Sequence, residues 1–327
     1  MNIAIISSIK DPASTNIKEN LINNFDFNKL EEQFGNNHIF QSIINNTKIK
    51  LYTINSELIF IDDLDKNIDA DVFIFISKHR AAEGRASLTC HAIGNFGKAE
   101  KGGKEKALCS SHSIFLKNMF IELNNNVKEP YEVTLEATHH GPYLEKPVLF
   151  VELGSNEKYW GDKIGGKIVA QSIINVIKKY NNNPNTIIKN SINKKNNEIN
   201  FNNKNDSKII INNNSMEKIN KNNSNQTNNN LMNGNNNYES TFVIGGGHYN
   251  HVANKAMLKG NLAVGHICAK YNLENLDENL IKEAIGKIIP KPKFVLLDWK
   301  GLGKEKASIL EILDKNNIEY RRSDKEF

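Results

Sequence analysis

A chain of 327 residues with 39% hydrophobic and 24% charged positions can bury one large core or two small ones. Its net charge of +5 rules out a strongly acidic protein and permits weak attraction to nucleic acid without requiring it. Cys90, Cys109 and Cys268 form no CxxC, which excludes a disulfide framework or zinc ribbon, and no apolar run reaches the roughly 20 residues of a membrane span.

The chain opens with Ile3-Ala4-Ile5-Ile6, a short strand that leads into a turn without the basic start and cleavage site of a signal peptide. A soluble, cytoplasmic protein is expected. Ser14 or Asn16 can cap a first helix through Leu21 and Ile22. Further apolar runs follow at Val72 to Ile76, Leu88 to Ile93, Val148 to Leu153, Phe242 to Ile244, Leu262 to Val264 and Phe294 to Leu297. Such near-continuous runs suit strands covered on both faces. Between them, Ser110 or Ser111 can open a helix through Met119 and Phe120. Residues 163–180 place Ile164, Ile168, Ile173 and Ile177 on an apolar stripe, and residues 280–288 and 304–316 repeat the pattern. Strands alternating with helices predict a three-layer α/β/α fold with a mostly parallel mixed sheet.

Residues 181–239 break this pattern. They hold 26 asparagines among 59 positions, too little apolar surface to offset the entropy of ordering, so a disordered insertion is expected. Residues 1–180 and 240–327 then form a single catalytic α/β domain.

The chemistry-bearing residues cluster after the strands. The nine histidines include Ser77-Lys78-His79-Arg80, Thr138-His139-His140-Gly141-Pro142 and Gly245-Gly246-Gly247-His248. Histidine is suited to hold a metal or move a proton at neutral pH, and ends of α/β strands are where ligand sites lie. Read as one strand, Tyr131 to His140 puts Glu136 and His140 on one face and His139 on the other. Glu152 interrupts the apolar run Val148 to Leu153. Its buried charge is costly unless a cation, a metal or several donors meet it, so it is either a ligand or catalytic group or the partner of an arginine such as Arg80 or Arg85.

Gly245, Gly246 and Gly247 form a strand-to-helix turn whose amides could face an oxyanion, or that serves packing alone. His266 reads as a satisfied core residue and His91 is undecided, while His38 reads as exposed loop and His112 as helix. The loop Gly94 to Lys106 carries Lys98, Lys101, Lys104, Lys106 and the aromatic Phe96, a set able to grip phosphates and stack a base. Its other reading is a solvated loop, since Glu100 and Glu105 offset half of that charge. No HExxH or GxSxG is present, so neither a metal site nor a serine hydrolase follows from spacing.

Taken together, Ser77-Lys78-His79-Arg80, Ser87-Leu88-Thr89, Gly94-Asn95-Phe96-Gly97, Glu136 to Pro142, Phe150 to Ser155, Gly245 to Tyr249, Gly265-His266 and Asp298 to Leu302 resemble, in that order, the D-aminoacyl-tRNA deacylases of the archaeal and plant type. The resemblance runs from Ile3 to about Arg322 and is interrupted by the asparagine-rich segment. It implies a fold similar to peptidyl-tRNA hydrolases and nucleoside phosphorylases. It also implies a zinc-dependent hydrolase that frees a D-amino acid from the 3′ end of tRNA.

On that basis zinc is expected on some of His79, His139, His140 and Glu152, with Glu136 or His248 as proton carrier. The amides of Gly245, Gly246 and Gly247 would face the oxyanion. Lys98, Lys101, Lys104 and Lys300 would meet the acceptor-stem phosphates. The expected partner is the acceptor end of D-aminoacyl-tRNA, with no membrane or DNA, and a monomer is expected. The competing readings are a non-catalytic tRNA-binding module and a nucleoside phosphorylase or metallopeptidase on a similar fold.

Overall fold

The computed structural model describes residues 1–181 and 238–326, which form one compact unit. The insertion expected over 181–239 lies outside the described residues except at its ends. Among the described residues no helix is long and apolar enough to cross a membrane.

The first sheet has eight strands: β1 (Asn2–Ser8), β2 (Asn28–Phe34), β3 (Asn37–Ile44), β4 (Thr47–Ile54), β5 (Val72–Arg80), β6 (Ser87–His91), β7 (Glu132–Leu135) and β8 (Val148–Ser155). Their order is β7-β6-β8-β5-β1-β4-β3-β2. Strands β8, β5, β1 and β4 are mutually parallel, β6 and β7 run against β8, and β3 and β2 fold back antiparallel at the far edge.

Both faces of the central strands are buried, which explains their unbroken apolar runs. Along β1, Ile3 and Ile5 enter one cluster while Ala4 and Ile6 enter the opposite one. Ile74 and Ile76 alternate with Phe73 and Phe75 in the same way.

The C-terminal strands make a second sheet, wholly parallel, rather than extending the first. It consists of β9 (Glu239–Ile244), β10 (Leu262–Cys268), β11 (Phe294–Leu297) and β12 (Tyr320–Arg322), in the order β10-β9-β11-β12. A central apolar cluster joins the two sheets. Helices α1 (Pro12–Asn24), α2 (Ser113–Asn126), α3 (Lys163–Asn181) and α4 (His251–Lys259) contribute to it, together with Ile3 and Ile5 of the first sheet and Val243 and Val264 of the second. The outer face of the second sheet, with Phe242 and Val295, is covered by α5 (Glu278–Gly286) and α6 (Lys306–Lys315). The architecture is α/β and mostly parallel, as the strand and helix alternation predicts.

Two helix starts differ from expectation. Asp11 caps α1 by accepting from the Ser14 amide at 2.9 Å, with Pro12 at the first helical position. Ser14 instead accepts from the Ser8 amide and ties the helix to β1. His112 is the cap of α2 rather than part of it, its Nδ1 accepting from the Phe115 amide at 3.2 Å. Burial pushes its pKa down to about 4, which keeps that nitrogen free to accept. His38, read as loop, lies in β3.

In the second sheet the chain passes from β9 to β10 on one side and then to β11 on the other. The carboxyl ends of β9 and β11 therefore form a topological switch point. Gly245 and Gly246 follow β9 there with φ of 104° and 85°, and Gly301 packs so closely on the Gly246 amide that a side chain would collide with it. This turn delivers His248 toward the first sheet.

Candidate active site

Strand register builds the site. On β8, Glu152 lies between Ser77 of β5 and Thr89 of β6, and Phe150 lies opposite His91. Strand β7 stops at Leu135, opposite Cys90, so Glu136 emerges just past the strand end. Single bridges then hold the chain, Ile93 with His139 and Glu136 with Tyr249. The Ala137 amide donates to the His248 carbonyl at 2.7 Å and the Thr138 amide to the Ile267 carbonyl at 3.0 Å. Residues 136–140 are thus clamped between the two sheets.

Glu136 is 2% exposed and is the centre of the group. Its Oε2 lies 2.8 Å from Nε2 of His248 and 3.6 Å from Nε2 of His139, and its Oε1 lies 3.7 Å from Nε2 of His79. His248 Nδ1 meets the Tyr271 hydroxyl at 2.9 Å. Glu152 accepts from the Ser77 hydroxyl at 2.6 Å and lies 3.7 Å from Nε2 of His91.

Three histidines share one orientation. Nδ1 of His91, His139 and His140 faces the backbone carbonyl of Ala92, Ala137 and Gly141 at 3.1, 2.8 and 2.6 Å. A carbonyl only accepts, so Nδ1 carries the proton, and in the neutral ring Nε2 is left with its lone pair, the arrangement of metal-ligating imidazoles. The ligand atoms of these three lie within 4.8 Å of one another. The same holds for Glu136, His139 and His248, and for His91, Glu136 and Glu152. Buried His91 Nε2 and Glu136 Oε1 have no hydrogen-bond partner. Two orphaned donor atoms within a nitrogen and oxygen set fit a bound metal cation.

The electrostatics agree. Burial alone would raise the Glu136 pKa, but the His248 hydrogen bond and the imidazoles of His91, His79 and His139 around it hold it well below the ordinary carboxylate range. Burial, reinforced by neighbouring histidines, drives His139 well below its usual value and pushes His140 down to about 4. His91 is raised, because Glu152 and Glu136 outweigh its burial. At neutral pH an ionised Glu136 therefore faces neutral His139 and His140, a set prepared for a cation.

His79, Glu136, His139, His140, Glu152 and His248 line one cavity of about 400 Å³. Within it His79 stands apart from the ligand groups. Its nitrogens meet Ser87 Oγ at 2.7 Å and the Tyr249 hydroxyl at 3.0 Å, so it belongs to the wall. His91 lies in two of the groups whose atoms could hold a metal ion. The signal for it lay in Leu88-Thr89-Cys90-His91, where Leu88 and Cys90 enter the central cluster and Thr89 and His91 share the other face. The strand phase drawn for Glu136 and His140 fails because the strand ends at Leu135, and it is His139 that meets Glu136. His140 has φ of 46° and its ring groups with His91 and His139 instead. Glu152 has no arginine partner among the described residues, and Arg80 pairs with Glu157 instead.

Gly245, Gly246 and Gly247 do not line the cavity, and the Gly245 amide is already bonded to the Cys268 carbonyl at 2.8 Å. Their turn positions His248. Of the lysines, Lys101 lines the cavity and its carbonyl accepts from the Gly141 amide at 3.1 Å. Lys104 lies over the Tyr143 ring and near Asp63, Lys106 is near Asp277, and Lys98 and Lys300 are exposed away from the cavity wall. Phe96 is 1% exposed and stacks on Phe242, which removes it as a base-stacking ring. His266 is a satisfied core residue between Thr138 and the Cys109 carbonyl.

Comparison with known proteins extends over nearly the whole chain. A family model described as D-aminoacyl-tRNA deacylase matches residues 66–190 and 197–321. The chain is 28% identical over 324 residues to the D-aminoacyl-tRNA deacylase of Pyrococcus furiosus, covering 97% of this chain and 98% of that protein. It is 30% identical over 326 residues to the D-aminoacyl-tRNA deacylase of Methanosarcina acetivorans, covering 96% and 89%. A crystal structure of a conserved protein of unknown function, 24% identical, shares the fold with a TM-score of 0.74 over 99% of this chain and 96% of that one.

Proposed function

The chain belongs to the D-aminoacyl-tRNA deacylase family, and on that premise we propose that it hydrolyses the ester between a D-amino acid and the 3′ end of tRNA. It would do so in the cytoplasm, as a monomer with a resident zinc ion, sparing translation the wrong enantiomer. The observation that carries this reading is the pairing of buried Glu136 with the half-buried His248, 2.8 Å apart, at a cavity that also holds the free Nε2 atoms of His139 and His140.

His91, His139 and His140 would hold the zinc, with Glu152 close enough to His91 to complete or balance its shell. A zinc ion there supplies a Lewis acid for the ester carbonyl and lowers the pKa of water. Glu136, ionised and with Oε1 unpartnered, accepts the proton of the attacking water. As the carbonyl carbon gains the water oxygen and loses the ribose oxygen, the pair returns that proton to the ribose through His248 Nε2. Tyr271, bonded to Nδ1, fixes the imidazole for the transfer. The products are the free amino acid and tRNA with its terminal hydroxyl restored.

The test is ester loss from D-Tyr-tRNA and L-Tyr-tRNA incubated with the protein. Loss of the D form with the L form intact is expected, and no loss of either, or equal loss of both, contradicts the reading.

A further inference from the structure

Six large hydrophobic side chains are prominently exposed among the described residues, and three of them stand on segments around the cavity. Ile9 precedes the cavity-lining Lys10, Tyr271 holds His248, and Phe60, 57% exposed, follows Glu57, Leu58 and Ile59, which all line the wall. The turn that carries Phe60 is wedged in place. Side chains on Gly102 or Gly141 would collide with the Ile59 carbonyl, and the Phe60 ring lies against Gly102. One segment is the lysine loop and the other follows the double histidine, so the ring stands in water at their seam.

The cavity wall behind it carries Lys10, Lys78, Arg80 and Lys101 together with the carboxylates Asp11, Glu57, Glu136 and Glu152. Lys10, Lys78 and Lys101 line the cavity, and among the described residues none of their ammonium groups is in an ion pair. An exposed aromatic ring at the edge of a wall that carries lysines outside any ion pair is the chemistry that binds single-stranded nucleic acid, stacking for the base and cations for the phosphates. A cavity of about 400 Å³ has room for the aminoacylated terminal nucleoside, and the preceding unpaired nucleotides must leave across the rim.

We propose that Phe60 is a stacking platform for an unpaired base of the tRNA 3′ end upstream of the aminoacylated nucleotide, with Lys10, Lys78 and Lys101 taking the adjoining phosphates. This rests on the deacylase reading and adds to it the mode of recognition: single-stranded, sequence-tolerant and centred on the 58–60 turn rather than on Phe96 or Lys300.

The experiment compares D-Tyr-tRNA with the D-tyrosyl ester of AMP, which lacks the upstream bases. Phe60→Ala is expected to raise KM for D-Tyr-tRNA about tenfold or more with kcat little changed, as loss of one base stack implies. Phe60→Trp should restore it, and neither change should alter KM for the AMP ester. Lys10→Gln should make the salt dependence of KM for the tRNA shallower, by about 0.7 in the log–log slope for one lost phosphate contact.

An unchanged KM for D-Tyr-tRNA in Phe60→Ala overturns the platform and leaves the ring as a docking point for a protein. An equal rise with the AMP ester also overturns it, since the ring would then touch the terminal nucleoside. Absence of cleavage by the wild type is a different failure, of the deacylase reading and the platform together.

Discussion

Nε2 of His248 lies 2.8 Å from Oε2 of Glu136, although the two residues come from different sheets and are 112 positions apart. Glu136 leaves the end of β7, and His248 follows the glycine turn after β9. Only the docking of the two sheets across their shared apolar cluster brings the two side chains together.

Glu136→Gln should test that pair. The amide oxygen can still accept from His248, so the fold should persist, with a melting temperature close to wild type. The amide cannot take a proton, and single-turnover cleavage of D-Tyr-tRNA should fall by about 10²–10⁴-fold, the range for loss of a general base.

His91 and His79 should separate in a metal assay. His91→Ala removes an unpartnered Nε2 from the donor group, whereas His79→Ala removes a ring already bonded to Ser87 and Tyr249. Zinc per chain after dialysis should drop in the first variant and stay near wild type in the second. The reverse order would return His79 to the ligand set.

The stability of the metal-free protein should fall as pH drops from 7 to 5. His112, His140 and His266 are each pushed down to about 4 by burial, so between that value and about 6.5 the unfolded chain binds protons that the folded one refuses. The loss is about 2 kcal/mol per group at pH 5. Glu136, held low, gives stability that is present above the unfolded carboxylate pKa and is lost only at still lower pH. His91, held high, acts in the opposite sense and offsets part of the change. Urea midpoints at the two pH values check the sign, and a midpoint that rises toward pH 5 contradicts it.

Phe96→Ala should behave as a core truncation. With the ring buried against Phe242, a cost of about 3–5 kcal/mol in unfolding free energy is expected, with KM for D-Tyr-tRNA unchanged in the folded fraction. A higher KM at unaltered stability would make it a surface ring instead.

Much of this was legible in the residues alone. The apolar runs at 72–76 and 148–153 read as strands because both sheet faces are covered, and Glu136, His139 and His248 stood out because polar groups cluster past strand ends. What could not be read were relations set by register and sheet docking. His91 sits in an apolar strand and gains meaning only from Phe150 and Glu152 on the antiparallel neighbour. His79 is in the expected ligand set, but Ser87 and Tyr249 meet both its nitrogens. The division into two sheets was likewise hidden, because nothing in the run Thr241 to Ile244 says which strands it will join. Phe96 and Phe60 are one residue type with opposite fates, decided by whether the second sheet's outer cluster covers them.

The central claim is that the histidine and glutamate group cleaves the ester with a bound metal. Ester loss from D-Tyr-tRNA should be followed with protein stripped by a chelator and verified metal-free, and again after adding one equivalent of zinc or more. Cleavage is expected to vanish on stripping and return with zinc, while the stripped protein stays folded. Full cleavage by the verified metal-free protein would contradict the claim.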